Sequence, residues 1–205
     1  MSADGDSIEI PESAPTIIAR QNGVILRQAT DRDLPCIDEI IIACYAPIYE
    51  SYLKIVGKDI YRGMRPNRDQ DWRVAKTGRV RKIFREHPDC LWVLEEGDEF
   101  FGFLAFALFP EKNRLWIEEN GVIVERRGQG WATFMLRHLL AHARNLGIRF
   151  ASVEVDLDDV HIPARRAYQA VGFDRHHHIA IYHQDLDQAN AGSTLDDSEN
   201  RVSRE

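Results

Sequence analysis

The chain has 205 residues, of which 44% are hydrophobic and 29% charged, the usual balance of a globular protein that can bury a core. It contains no apolar run near the roughly 20 residues that a membrane-spanning helix needs, and its acidic first residues lack the basic and apolar regions of a signal peptide. The cysteines at positions 36, 44 and 90 are too scattered for a disulfide framework or a zinc site. These features argue against secreted and membrane-spanning classes and predict a cytoplasmic protein.

The net charge of −7 lies mostly at the two ends of the chain. Residues 1–23 and residues 187–205 each carry a net charge of −3 and are rich in Ser, Asp, Asn and Ala but poor in aromatic residues. Such segments bury too little surface to offset the entropy lost on ordering. We therefore predict two disordered acidic tails around one folded domain at 24–186.

The first half of the folded part is predicted to be mostly helical. After a short strand at 24–26, Thr30 and Asp33 have the spacing of a capping box, which predicts the start of a helix at about 31–45. Apolar spacings of three and four residues indicate two more helices within 46–90.

The second half alternates strands with amphipathic helices. Gly97 followed by Asp98 favours a type II′ hairpin turn, and one continuous apolar stripe predicts a helix at 132–146. The strand after this helix follows closely enough to pair in parallel with the strand before it. Strands are predicted at 91–94, 100–108, 115–124, 151–155 and 173–186, and a last helix at 163–171. This order predicts an α/β (α+β) fold with one central mixed sheet and helices on both faces.

A glycine-rich turn joins the strand at 115–124 to the helix at 132–146. It reads Arg126-Arg-Gly-Gln-Gly-Trp-Ala-Thr133, and its small residues let several N–H groups converge at a helix N-terminus, a site that suits a pyrophosphate. A nucleoside-triphosphate loop would need a lysine at position 131, where Trp stands, so that class is excluded. A dinucleotide fingerprint would need a third glycine at 133, so it fits weakly.

Three motifs together resemble the GNAT N-acetyltransferase family. The coenzyme A loop of that family, Arg/Gln-x-x-Gly-x-Gly/Ala, is matched at 127–132, and the start of its first helix at 27–33. Its late Asn-x-x-Ala-x-x-x-Tyr-x-x-x-Gly-Phe motif is matched at 161–173, with His161 in place of Asn. The resemblance covers about 24–186 and implies the acyl-CoA N-acyltransferase fold. It also implies an enzyme that moves an acetyl group from acetyl-CoA directly to an amine of a small molecule or peptide.

The resemblance also implies where acetyl-CoA binds. The pantetheine arm would pair with the backbone around Val122 and Val124, an N–H of Val122 would polarise the thioester carbonyl, and the pyrophosphate would rest on 127–133. Val124 stands where the family usually has Pro, which leaves the register of these contacts open by a residue or two. The candidate cofactor-binding residues are Val122, Ile123, Val124, Arg127, Gly128, Gln129, Gly130, Trp131, Ala132, Thr133, His161 and Tyr168. No metal is implied.

The candidate catalytic residues are Tyr168, Glu118 and Glu119. Tyr168 matches the family's tyrosine and would protonate the departing thiolate, and the alternative is a core aromatic. Either glutamate could be the base or simply an exposed carboxylate. Adjacent strand residues face opposite sides, so at most one is expected to point to the acceptor. Counting back from Val122 would instead put the family's acidic position at Trp116, which cannot act as a base.

Two further features leave alternatives open. Segment 62–85 holds nine basic and two acidic residues. It is typical of a solvated helix face, and the alternative is a surface for an acidic partner, acceptor or nucleic acid, although nucleic acid is not the expected partner. The consecutive His176, His177 and His178 cannot all converge on one metal from a single strand.

The function also has an alternative, a non-catalytic acyl-CoA-binding or regulatory module on the same scaffold. GNAT domains are often dimers, so a homodimer is compatible with the resemblance. The acceptor is not fixed by the fold.

Overall fold

A computed structural model describes residues 14–64 and 70–186. These residues contain one open, six-stranded sheet in which the strands lie in chain order. All neighbours pair antiparallel except the last two, which are parallel. The strands are β1 (Ile17–Gln21), β2 (Val24–Gln28), β3 (Leu91–Glu96), β4 (Glu99–Phe109), β5 (Arg114–Val122) and β6 (Phe150–Val153).

Helices cover both faces of the sheet, as predicted. They are α1 (Leu34–Val56), α2 (Lys58–Gly63), α3 (Trp72–Glu86), α4 (Trp131–Asn145) and α5 (Ile162–Ala170). Strand β3 shows the arrangement clearly. Leu91 and Val93 pack in a core with α1 and α3, whereas Trp92 and Leu94 pack in a second core with α4 and α5. This is the alternation that two buried faces require. None of the described helices has the length and apolarity to cross a membrane.

The predicted N-terminal boundary was wrong. Residues 17–21, placed in a disordered tail, form β1 and pair with β2. Asn22 and Gly23 have φ of +51° and +84°, the two positive values of a type I′ hairpin turn, for which Asn-Gly is the strongest short signal. The remaining predicted disorder, at 1–13 and 187–205, lies outside the described residues.

The predicted last strand at 173–186 was also wrong. Within the described part of the chain this segment forms no strand and is not part of the sheet. Phe173 packs against the core, but the large apolar side chains after it are exposed, Tyr182 at 92%. The helices expected at 31–45 and from 46 onward are one helix, α1, which contains Pro47. The type II′ turn is confirmed, since Gly97 has φ of +60° and Asp98 is not among the positive-φ residues.

Candidate active site

The site lies in a gap between β5 and β6. The two strands pair from Arg114 with Phe150 to Ile117 with Val153, where β6 ends while β5 continues to Val122. A cavity of about 630 Å³ occupies the gap and reaches both strands, α1, α3 and α5. Of the predicted cofactor-binding residues, those that line this cavity are Val122, Arg127, Ala132, His161 and Tyr168.

The backbone of β5 offers hydrogen-bonding groups to this gap. The N–H of Ile123 bonds to the carbonyl of Phe101 on β4 at 3.0 Å. Because N–H directions alternate along an antiparallel strand, the N–H groups of Asn120 and Val122 point away from β4 and toward the gap.

The glycine-rich turn ends at the first residue of α4, Trp131. Gly128 and Gly130 have φ of +77° and +87°, and a Cβ added at either would meet no atom within 4 Å, so the backbone faces open space. The side chain of Trp131 packs in the core against Phe101 and Phe134. Of Trp131, therefore, only the backbone N–H at the helix start is suited to an anion.

The two arginines of the turn point in different directions. Arg127 donates from Nε to the carbonyl of Val122 at 2.9 Å and lines the cavity, where its guanidinium lies by the thiol of Cys44. Burial raises the pKa of Cys44, and Arg127 partly offsets that rise. Arg126 instead forms ion pairs with Glu96 and Glu99 on the β3–β4 hairpin. Arg127 thus lies at the end of β5, within the site.

Glu118 and Glu119 both line the cavity, although adjacent strand residues were expected to face opposite sides of the sheet. The physical reason is a β-bulge. Glu119 pairs with Ala105 but Ile117 pairs with Phe106, which leaves Glu118 as an extra residue and breaks the alternation of side chains. Arg79 of α3 consequently contacts both carboxylates.

Glu119 is the more buried of the two, with its side chain 4% exposed. Its Oε1 lies 2.7 Å from Nζ of Lys76, and its Oε2 accepts a hydrogen bond from the Tyr45 hydroxyl at 2.5 Å. Burial, followed by the nearby Glu119 carboxylate, raises the pKa of Tyr45 well above its usual value. The phenol of Tyr45 is therefore a protonated hydrogen-bond donor at neutral pH.

Tyr168 reaches the same strand from the opposite face. It is 6% exposed, packs with the α4–α5 core and also lines the cavity. Its hydroxyl accepts a hydrogen bond from Nδ2 of Asn120 at 2.7 Å. Burial raises the pKa of Tyr168, the Asn120 hydrogen bond lowers it, and the Glu119 charge raises it, with a net rise.

His161 precedes α5 and also lines the cavity. Its Nδ1 contacts the carboxylate of Asp158, which also accepts a hydrogen bond from Ser51 of α1 at 2.7 Å. Burial raises the pKa of Asp158, but these hydrogen bonds lower it by a larger amount, so the net shift is downward. The two contacts link the end of α1 to the start of α5.

The basic segment contributes to the site itself. Lys76 and Arg79 face the cavity carboxylates, and Arg81 pairs with Asp38 of α1. Positions 65–69 of the segment lie outside the described residues. His176, His177 and His178 are exposed and do not lie in a strand. Within 14–64 and 70–186, no group of three or more His, Cys, Asp or Glu side chains is arranged to hold a metal ion.

Asn120, Tyr45 and Lys76 were missed from the sequence. Alternation back from Val122 along the strand would have indicated Asn120. The positions of Tyr45 and Lys76 depend on how α1 and α3 pack over β5, for which the sequence has no local signal.

The open mixed sheet, the splayed parallel pair and the glycine turn before α4 are the features of an acyl-CoA N-acyltransferase fold. The model of the acetyltransferase (GNAT) family matches residues 57–173, and the chain belongs to that family. No curated protein matches it significantly.

Solved structures show the same fold at low sequence identity. A GNAT family acetyltransferase from Brucella melitensis in complex with acetyl-CoA is 19% identical, with a TM-score of 0.50 over 76% of this chain and 85% of that one. An aminoglycoside acetyltransferase from an uncultured soil metagenomic sample, in complex with sisomicin, is 13% identical, with a TM-score of 0.52 over 80% and 97%. A longer protein from Pyrococcus horikoshii is 18% identical, with a TM-score of 0.49, and the chain covers 44% of its length.

Proposed function

We propose that the protein is an acetyl-CoA-dependent N-acetyltransferase that transfers the acetyl group directly to an amine of a small molecule or peptide. The observation that carries this proposal is the continuity of the cavity. It runs from the end of β5, beside the glycine turn, to the carboxylates and aromatic side chains under α1 and α3. Donor and acceptor can therefore lie in it together, and no covalent enzyme intermediate is needed.

The donor half of the cavity offers backbone groups of β5 and of the glycine-rich turn. The backbone of β5 that faces the gap, which includes the N–H of Asn120, suits the amide groups of a pantetheine arm lying along this strand. The turn at 127–133 and the first N–H groups of α4 suit a pyrophosphate. Arg127 donates a hydrogen bond to the Val122 carbonyl at the end of β5 and adds a positive charge there.

Two groups of the chain would act on the transferring thioester. The N–H of Val122 would donate to the carbonyl oxygen as negative charge develops on it, which is the largest kind of contribution in acyl transfer. Tyr168 would donate its phenolic proton to the sulfur as the carbon–sulfur bond breaks. Its raised pKa keeps the phenol protonated at neutral pH.

The acceptor must lose a proton, and of the two glutamates we assign that role to Glu119. A base has to be ionised, and Lys76 and the Tyr45 hydroxyl supply the counter-charge and hydrogen bond that suit a carboxylate. Glu118 pairs with Arg79, whose side chain is 54% exposed and which also contacts Glu119.

The test is to incubate the protein with acetyl-CoA and a panel of small-molecule and peptide amines, and to follow the free thiol released. Calorimetry on the same samples measures acetyl-CoA binding. Release that depends on an amine supports the enzyme. Binding without release on any amine would favour the alternative of a non-catalytic acyl-CoA-binding or regulatory module. The cytoplasmic location, a homodimer and the terminal acidic tails stay predictions.

A further inference from the structure

Asn120 is placed where it can control the proton of Tyr168. It lies on β5 two residues before Val122, in the part of the strand that β6 leaves unpaired. Its Nδ2 donates to the Tyr168 hydroxyl at 2.7 Å. Tyr168 belongs to α5, so this bond spans the gap that holds the proposed donor.

A phenol has one hydrogen to donate and two lone pairs that can accept. Since the oxygen of Tyr168 accepts from Asn120, its own O–H cannot point at the same nitrogen. The hydroxyl must turn elsewhere, and the Tyr168 side chain lines the cavity. An amide donor at this position therefore leaves the proton available to the cavity.

We propose that Asn120 is a positioning residue, which holds the Tyr168 hydroxyl as an acceptor so that its proton is directed at the donor's sulfur. This inference rests on the proposed function. In the step, the O–H bond of Tyr168 breaks, an S–H bond forms and the carbon–sulfur electron pair stays on sulfur. The phenolate left behind accepts the Asn120 N–H until solvent returns a proton.

The surroundings of Tyr168 make such a donor necessary. Glu119 of β5 and Tyr45 of α1 interact electrostatically with it, and Lys76 and Arg79 of α3 lie against that carboxylate. Burial and the Glu119 charge both oppose a phenolate, whereas the hydrogen bond from Asn120 favours it. Without Asn120 the phenol would be a weaker acid with an undirected proton.

The test compares Asn120→Asp with Asn120→Leu. The Asp side chain has nearly the shape of Asn, but its carboxylate can only accept a hydrogen bond, so the Tyr168 hydroxyl would donate its proton to it. The Leu side chain removes the polar contact. We expect kcat per folded molecule to fall about 10- to 100-fold in both, a part of the 10²–10⁴ that a positioned acid contributes. The alkaline limb of kcat, where Tyr168 loses its proton, should move to higher pH. Asn145→Asp, an exposed change at the end of α4, is the matched control.

The same variants in a Tyr168→Phe background separate the possible outcomes. If Asn120 acts through the phenol, its replacement should change kcat little once the phenol is gone. An equal loss in both backgrounds, an unmoved alkaline limb, or full activity in Asn120→Asp would overturn the positioning role. A wild-type kcat in Tyr168→Phe alone would instead overturn the acid role within the proposed function. Melting temperatures recorded alongside, with Asn120→Ser as a milder replacement, correct the rates for folding.

Discussion

Tyr168 is buried as deeply as a core aromatic and yet lines the cavity. The two interpretations that the sequence left open therefore apply to different parts of one side chain. The ring packs edge-on against Phe173, with centroids 5.8 Å apart, whereas the hydroxyl faces Asn120 on β5. A change that removes only the oxygen should thus affect chemistry more than packing.

The first prediction is that Tyr168→Phe lowers kcat by about 10²–10⁴-fold while acetyl-CoA binding stays near wild type. A proton donated to the leaving sulfur matters only in the transition state, so its loss is seen in kcat. Steady-state rates, calorimetric affinity and melting temperature should be measured on one preparation. A normal rate with an altered melting temperature would leave Tyr168 a packing residue.

The second prediction separates the two glutamates. Glu119→Gln should lower kcat/KM for the acceptor by about 10²-fold, the low end for a general base, because the amide cannot take a proton. Glu118→Gln loses an ion pair with the half-exposed Arg79 and should lower kcat/KM by a smaller factor. The acceptor kinetics of both variants give the comparison, and equal losses would contradict the assignment of the base to Glu119.

The sequence predicted the site unevenly at this scale. The elements that carry Gly130 and Tyr168 were predicted, because the spacing of a motif within one turn or one helix is local. The orientation of Glu118 and Glu119 was predicted wrongly because a single β-bulge interrupts the alternation of side chains along β5. Tyr45 came to the site only through the packing of α1 over β5.

At the scale of elements, the turn before α4 joins a strand to a helix through two residues with positive φ. Our third prediction is that Gly128→Val and Gly130→Val weaken the rise in melting temperature caused by acetyl-CoA. A branched side chain would project into the space where the phosphates are proposed to lie. A ligand at 100 times its Kd stabilises by about 2.7 kcal/mol, so the loss should be measurable by thermal denaturation.

Gly147 provides the matched control for these variants. It has the same φ as Gly128, +77°, also faces open space and follows the other end of α4. Gly147→Val should therefore share the backbone strain but keep the full acetyl-CoA shift. An undiminished shift in both Gly128→Val and Gly130→Val would remove the turn from the binding site.

The fourth prediction concerns the contact that joins β2 to the start of α1. Asp33 is 4% exposed, binds Arg27 at 2.7 Å and accepts from the N–H of Thr30 at 2.7 Å. Burial raises the pKa of Asp33, but these partners lower it more, so the net shift is downward. A carboxyl group whose folded pKa is lowered adds stability above its unfolded pKa of about 3.9 and loses it as the pH falls through the folded value.

Asp33→Asn should therefore lower the free energy of unfolding at neutral pH by about 3 kcal/mol, the low end for one partner of a buried pair, because Arg27 keeps Glu95. Urea unfolding at pH 7 and at decreasing pH below 4 measures this. The difference between wild type and variant should shrink in acid. A difference independent of pH would assign the effect to packing.

Most elements were predicted from periodicity, and apart from the division of α1 into two helices the errors lie at the ends of the domain. Composition placed β1 in a tail, although Asn22-Gly23 carried the local signal of a hairpin. The segment at 173–186 has the alternation of a strand, but a strand also needs a neighbour with a free edge in reach. That condition belongs to the tertiary structure.

At the scale of the whole molecule, the sheet lies between two buried cores, and side chains from both sides meet at the gap. Tyr45 comes from the core under α1 and Tyr168 from the core under α5, yet both contact consecutive residues of β5. This meeting is possible because β6 leaves the sheet after Val153. The proposed base and the proposed acid therefore depend on packing at opposite faces of the sheet. The sequence of a single helix or strand could not have predicted this arrangement.

Because β6 ends before β5 does, hydrogen exchange at the backbone amides of β5 can report acetyl-CoA binding in the absence of any acceptor. In heavy water, the amide hydrogens of Asn120 and Val122, which point into the gap, should be replaced by deuterium sooner than those of Gly121 and Ile123, which point toward β4. Adding acetyl-CoA should slow the first pair selectively, since the pantetheine arm would take the place of the missing strand. Exchange at these four amides, followed residue by residue, would report whether acetyl-CoA occupies the donor half of the cavity. This measurement does not require the acceptor amine to be known. An unchanged alternation in the presence of acetyl-CoA would place the arm elsewhere.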